Sequence, residues 1–172
     1  MSAKLDEKDQ AILTLIQVNS KLTANQIAKK VNAPITTVFA KIKRMEEAGV
    51  IKQYRAILSP EKLNLGTAAF ILASVSYTTT KADGVPVSQR DVAEEIARFP
   101  EVQEVHIITG DYDLLVKLRA ENVEAVGKFV VDKLRRIKGL EKTLTCMVFQ
   151  TVKESTSIPL LFWHKDKEII KP

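Results

Sequence analysis

The sequence has little with which to staple or metallate a fold: one cysteine, Cys146, and two histidines, His106 and His164, far apart in the chain. An internal disulfide is excluded, and no His and Cys set has the spacing of a structural zinc site. Cys146 lies in the run Leu144-Thr145-Cys146-Met147-Val148-Phe149 and reads as a buried strand residue. Long apolar runs are missing as well. None approaches the ~20 residues of a membrane span, and the charged opening from Met1 to Asp9 lacks the apolar core of a secretion signal. The expectations are a cytoplasmic location and no membrane partner. There is also no nucleophile–base pair, phosphate-cradling glycine loop or metal-ligand cluster, so neither catalysis nor a cofactor is expected.

What the chain does have is an ordinary globular composition and an uneven charge. Of its 172 residues, 45% are hydrophobic and 27% charged, enough to build one large core or two small ones. Residues 1 to 55 hold ten Lys or Arg against five Asp or Glu, which leaves sixteen of each sign in residues 56 to 172. The whole net charge of +5 therefore sits in the first third. Basic side chains gain affinity for nucleic acid by releasing counterions from phosphates, so this pattern suits a polyanion-binding head on a neutral body. A solvated basic surface is the plainer alternative.

Hydrophobic spacing divides that head into three helices. Asp6 can cap a first helix to Asn19, with Ile12, Leu13, Leu15 and Ile16 on one face. Thr23 can cap a second that buries Ile27, Ala28 and Val31, and Asn32-Ala33-Pro34 breaks it. A third runs from about Ile35 to Ala48 and stops at Gly49, with Val38, Ile42 and Met45 as its buried stripe. At ~100° per residue, Thr37, Lys41 and Arg44 lie a quarter-turn from that stripe, while Thr36, Ala40 and Lys43 lie opposite. A tight turn between the second and third helices gives a helix-turn-helix pattern, in which the last helix enters the major groove. Thr36, Thr37, Lys41, Lys43 and Arg44 are the candidate DNA contacts, hydroxyls for base edges and cations for phosphates. A plain three-helix bundle with a solvated face would share the same pattern.

After a β-rich run from Val50 to Leu58 and a Ser59-Pro60 break, the pattern becomes βαββαβ: strands at about 67 to 79, 102 to 109, 112 to 119 and 142 to 152, and helices at 89 to 99 and 122 to 137. Thr78 to Gln89 is polar, with Gly84 and Pro86, and reads as a mobile loop. The helices carry apolar stripes that cover one sheet face. The first strand is also apolar on its other face, through Phe70 and Leu72, and a sheet-to-sheet homodimer is the simplest cover. The expected fold is α+β. It comprises a helix-turn-helix (winged-helix-like) domain over 1–55, a linker over 56–65, a ferredoxin-like domain over 66–152 and a C-terminal extension over 153–172. The apolar stretch Ile158 to Trp163 of that extension is expected to pack on the second domain or on a neighbouring subunit.

These residues resemble the Lrp/AsnC (leucine-responsive regulator/asparagine regulator, feast/famine) family of bacteria and archaea. The resemblance rests on Leu5-Asp6, Asp9 and Ile12-Leu13; on Ala28 and Val31; and on Val38, Ile42, Arg44, Glu46, Gly49, Val50, Ile51 and Tyr54. In the second domain it rests on Val105, the run Thr109-Gly110-Asp111-Tyr112-Asp113-Leu114-Leu115-Val116, Gly139 and Thr145. It implies a transcription regulator with a ferredoxin-like ligand-binding domain, dimers that often assemble into octamers, and amino-acid effectors bound between dimers near the Gly-Asp-Tyr-Asp loop. Gly110, Asp111, Tyr112, Asp113 and Thr145 are the corresponding effector candidates. Two positions depart from the pattern: Pro34 stands where a capping serine is frequent, and Ala40 where arginine is common.

The loop's own chemistry agrees with that role. Gly110 lets backbone N–H groups approach a carboxylate, and Asp111 and Asp113 could project together toward an ammonium group. The same Gly-Asp chemistry is also that of a hairpin turn. The expected function is sequence-specific transcription regulation on double-stranded DNA, responsive to an amino acid. A DNA-organising protein with little sequence preference is the alternative, and a sensor that never meets DNA is a third.

Overall fold

A computed structural model of the protein describes residues 4–76 and 78–160. The described residues form two compact units, one built from residues 4–57 together with 153–160, the other from Leu58 to Val152.

In the first unit, α1 (Glu7–Val18) starts at a reciprocal capping box. The Asp6 side chain accepts the Asp9 N–H at 2.8 Å, and the Asp9 side chain accepts the Asp6 N–H at 2.9 Å. The same device built on Thr23 and Gln26 opens α2 (Ala24–Val31). Asn32, left-handed at φ 47°, ends α2. Pro34 then leads into α3 (Ile35–Glu47) with no side-chain cap, its ring fixing φ at −59°. At the far end of α3, Gly49 at φ +68° lets the Val50 N–H reach the Met45 carbonyl and its own N–H the Glu46 carbonyl, which satisfies two orphan acceptors. Ile12, Leu13, Leu15, Ile27, Ala28, Val38 and Met45 form the core.

The β-rich run after Val50 forms no strand. It is exposed from Lys52 to Ser59, and no neighbour among the described residues supplies a ladder. The extension also departs from expectation. Gln17 of α1 clamps the Ile158 backbone, accepting its N–H at 2.7 Å and donating to its carbonyl at 3.2 Å, while Leu160 packs against the core of this first unit rather than the second. Leu161, Phe162 and Trp163 lie outside the described residues.

The second unit is a four-stranded antiparallel sheet in the order β2-β3-β1-β4, formed by β1 (Thr67–Val75), β2 (Val102–Ile107), β3 (Leu114–Ala120) and β4 (Leu140–Met147). With α4 (Gln89–Ile96) between β1 and β2, and α5 (Val123–Lys128) between β3 and β4, this is the ferredoxin-like βαββαβ order. Ala69, Ile71, Ala73 and Val75 of β1 and Leu114, Val116 and Leu118 of β3 face Val92, Ile96, Val126, Phe129, Val130 and Leu134 from the helical layer. Past Lys128 the second helix widens into a π turn over Phe129–Lys133 and tightens into a 3₁₀ turn over Leu134–Arg136, instead of running on as one α-helix. The polar segment before α4 is closed by a turn in which Lys81 N–H donates to the Val85 carbonyl, and Val87 enters the core.

The opposite sheet face carries Phe70 and Leu72 of β1, Leu115 of β3 and Leu144 of β4, joined by the strand register. Cys146 pairs with Phe70 on this face, on an edge strand, and is exposed rather than buried because no helix covers it.

Candidate functional site

On α3, Val38 and Met45 are buried, while Ile35, Thr36, Phe39, Ala40 and Lys43 are exposed. Thr36, Thr37, Ala40, Lys41 and Arg44 line a shallow recess of about 380 Å³ on the helix. Four of the five candidate DNA residues therefore share one concavity, and Lys43 stands on the exposed face beside it. They are not electrostatically equivalent.

Lys41 and Arg44 are held from below by α1. The Asp9 carboxylate, 0% exposed, receives Lys41 Nζ at 3.0 Å and Arg44 Nη2 at 2.5 Å, and Lys41 Nζ also meets Asp6 at 2.5 Å. The Lys41 side chain is only 16% exposed, whereas that of Arg44 is 55% exposed. The Lys41 ammonium, with the Asp9 N–H, holds Asp6 at about 2, and the Asp6 carboxylate in turn raises Lys41 above its ordinary value. Lys41 thus fixes α3 against the N-terminus of α1, while Lys43 reaches outward with Glu47 at 3.9 Å as its neighbour. At the end of the unit the Tyr54 hydroxyl donates to Glu46 at 2.8 Å; partial burial and that carboxylate raise the phenol to about 12.

Sequence reasoning missed the internal role of Asp9, and also Phe39. The first had a signal, because an aspartate three residues after a capping aspartate is a capping-box position. The second had one in the helical spacing, because Phe39 follows Val38 directly and so lies about a quarter-turn off the buried stripe.

In the second unit the loop between β2 and β3 turns at Gly110, with φ +125°, a conformation that side-chain-bearing residues rarely adopt. The two aspartates do not project together. Asp111 is exposed, while Asp113 turns inward: its Oδ2 accepts the Val75 N–H at 2.7 Å, and its Oδ1 accepts Gln89 Nε2 at 2.6 Å. Its backbone N–H donates to the Ala73 carbonyl at 2.9 Å, and its carbonyl accepts the Ile108 N–H at 2.8 Å. Asp113 therefore ties the end of β1, the start of β3 and the start of α4 into one node. Tyr112 lies beneath the Lys142 ammonium, 5.7 Å from the ring centre. Thr145, half-buried, pairs with Ile71 on the helix-covered face, two residues beyond the Thr143 that faces Ala73. Among the described residues no group of His, Cys, Asp or Glu is arranged to hold a metal, and no helix is long and apolar enough to cross a membrane.

Comparison with known proteins agrees with this two-part geometry. Residues 5–52 match a winged helix-turn-helix DNA-binding family, and residues 77–158 match the Lrp/AsnC ligand binding domain. An uncharacterized HTH-type transcriptional regulator of Pyrococcus abyssi is 44% identical over 90% of this chain and 99% of its own length. The HTH-type transcriptional regulator FL11 of Pyrococcus horikoshii is 37% identical over 93% of this chain and 99% of its own. Among solved structures, a transcriptional regulator of Neisseria meningitidis in complex with L-Met superposes with a TM-score of 0.83 at 32% identity, covering 92% of this chain and 98% of that one. Its relatives and both matched families are transcription regulators, not enzymes. With a helix-turn-helix head, a ferredoxin-like domain that matches the Lrp/AsnC ligand binding domain, and relatives matched along nearly their whole length, the chain belongs to the Lrp/AsnC family of transcriptional regulators.

Proposed function

We propose that this regulator recognises particular double-stranded DNA sequences through the open face of α3, and that an amino acid bound at the β2–β3 loop alters its assembly or its DNA binding. The observation that carries the DNA reading is the division of α3 into a buried apolar stripe and an outward face bearing Thr36 and Lys43. Thr36, Thr37, Lys43 and Arg44 are the contacting residues in this reading, with Lys41 as the positioning residue that sets the angle of the helix. The effector reading is supported by the L-Met bound in the Neisseria regulator and by the loop's chemistry, with exposed Asp111 beside the open backbone at Gly110. Gly110, Asp111 and Tyr112 form the ligand-facing part, and Asp113 holds the loop that presents them. Thr145, half-buried opposite Ile71, is an effector candidate through the family resemblance alone.

The helix-free apolar face, with Phe70 and Leu72 half-buried and Leu144 exposed, favours a homodimer that closes sheet on sheet, with higher assembly up to an octamer as the family resemblance implies. A soluble, cytoplasmic DNA-binding dimer is the state in which this site works.

The test is thermal unfolding of the full chain against each of the twenty amino acids. A ligand that binds only the folded state at hundredfold excess over its Kd adds about 2.7 kcal/mol, a shift of several degrees. One selective shift identifies the effector. No shift with any amino acid removes the effector reading and favours a DNA-organising role or another ligand class.

A further inference from the structure

Phe39 is the fifth residue of α3, and it is 65% exposed. Ile35, one turn before it, is 49% exposed. A single exposed apolar side chain needs no explanation in general. Phe39 differs through its position. It stands in the N-terminal half of the helix that a helix-turn-helix unit inserts into the major groove, which is the part that reaches base edges. Thr36 and Lys43 lie one turn to either side of it, and the adjoining Ala40 presents a side chain too short to hold the helix away from the bases. The outward face of α3 thus consists of an apolar row, Ile35 and Phe39, beside a polar and basic row, Thr36 and Lys43. Neither row belongs to the core cluster of this unit, which draws only Val38, Met45 and part of Ile42 from this helix.

Two chemistries are available on a base edge in the major groove: hydrogen-bonding groups, and the C5-methyl of thymine, the one apolar group displayed there. Thr36 and Lys43 suit the first and the phosphates, but an aromatic ring suits only the second. We infer that Phe39 is a specificity-determining residue that reads thymine through its 5-methyl group, with Ile35 extending the same apolar contact. The inference rests on α3 being the DNA-reading helix and adds the base it selects. The contact is sequence-specific without a hydrogen bond, so it should be insensitive to salt, unlike the contribution of Lys43.

The experiment uses the full-length protein and a random-sequence duplex library, from which bound DNA is selected in parallel by wild type, Phe39→Ala and Phe39→Leu. Because Phe39 is mostly exposed, Phe39→Ala should melt as wild type does. The wild-type consensus is expected to contain a thymine in each half-site. Replacing that thymine by deoxyuridine, which deletes only the methyl, should weaken wild-type binding about fourfold per half-site, the effect of removing one methyl-sized apolar contact of ~0.8 kcal/mol. Phe39→Ala should lose the preference at that position alone and bind the thymine and deoxyuridine duplexes equally, while Phe39→Leu should keep part of the discrimination. Three outcomes overturn the inference: a wild-type consensus without such a thymine, an equal deoxyuridine penalty in wild type and Phe39→Ala, or a Phe39→Ala protein whose consensus is intact but whose oligomeric state has changed. If wild type enriches no sequence at all, sequence-specific recognition itself fails, a result distinct from loss of one position in the consensus.

Discussion

Substituting Asp9 by Asn tests whether a single buried carboxylate fixes the angle of α3. The change keeps side-chain shape and an oxygen that can still accept the Asp6 N–H. It removes the charge that meets Lys41 at 3.0 Å and Arg44 at 2.5 Å. Removing one partner of a buried ion pair costs about 3–5 kcal/mol when the other charge stays buried and alone. Here neither cation is left alone. Lys41 keeps Asp6 at 2.5 Å, and Arg44, with its side chain 55% exposed, can turn into water, where an ion pair was worth little. The expected loss is therefore about 2–3 kcal/mol, from lost charge-assisted hydrogen bonds and an amide N–H₂ group facing an ammonium.

Urea denaturation followed by far-UV circular dichroism measures it, and the midpoint should fall with an unchanged slope. A cycle with Lys41→Met should show a coupling of about 1–2 kcal/mol between the two positions. On DNA the freed Arg44 should raise non-specific affinity and steepen its salt dependence. A loss under about 1 kcal/mol with no coupling would refute the reasoning, because it would mean that Asp9 and Lys41 do not share one electrostatic site.

Lys43→Ala should reduce the slope of log K against log salt by about 0.9 per protomer, while Lys41→Ala should lower stability and leave that slope nearly unchanged, because its ammonium is already neutralised by Asp6 and Asp9. Binding titrations at several salt concentrations distinguish the two. Gly139→Ala should destabilise by about 2–3 kcal/mol, since φ is +92° and a Cβ would lie 2.7 Å from Val87 Cγ1; a melt within error of wild type would contradict it. Tyr54, raised to about 12 from an ordinary value near ~10, is stabilised in its protonated form by folding. Its contribution is fully present below pH ~10 and is lost as pH rises from there toward ~12. Phenolate absorbance should show a late-titrating component that disappears in Tyr54→Phe.

Much of this architecture was legible because it depends on local spacing. The capping residues Asp6 and Thr23, the stop at Gly49 and the apolar stripes each act within a few residues of the sequence. The places where reading failed depend on neighbours that a sequence does not display. The run after Val50 has β-rich composition, but a strand needs a partner, and the described residues provide none there. Cys146 looked like core because its strand is apolar, yet alternation put it on the uncovered face opposite Phe70. Ile158 and Leu160 looked like cover for the second unit or a neighbouring subunit and instead meet the first unit, where one glutamine of α1, Gln17, satisfies both backbone groups of Ile158.

Two aspartates have roles that the sequence does not display. Asp113 reads there as a charge projecting with Asp111 toward an ammonium group, and Asp9 only as part of the family resemblance. Asp9 and Asp113 are both spent inside the fold, the first organising two cations, the second accepting from a backbone N–H and a side-chain amide at the meeting point of β1, β3 and α4. Removing Asp113 would therefore lower stability with or without an effector, and a lost ligand shift in that variant would not distinguish binding from loop collapse. Asp111, exposed one residue past Gly110, carries the sharper test. Asp111→Asn changes the charge offered to an α-ammonium while leaving every hydrogen bond of the Asp113 node in place, so an unchanged ligand-free melting point with a lost amino-acid shift assigns the effect to binding.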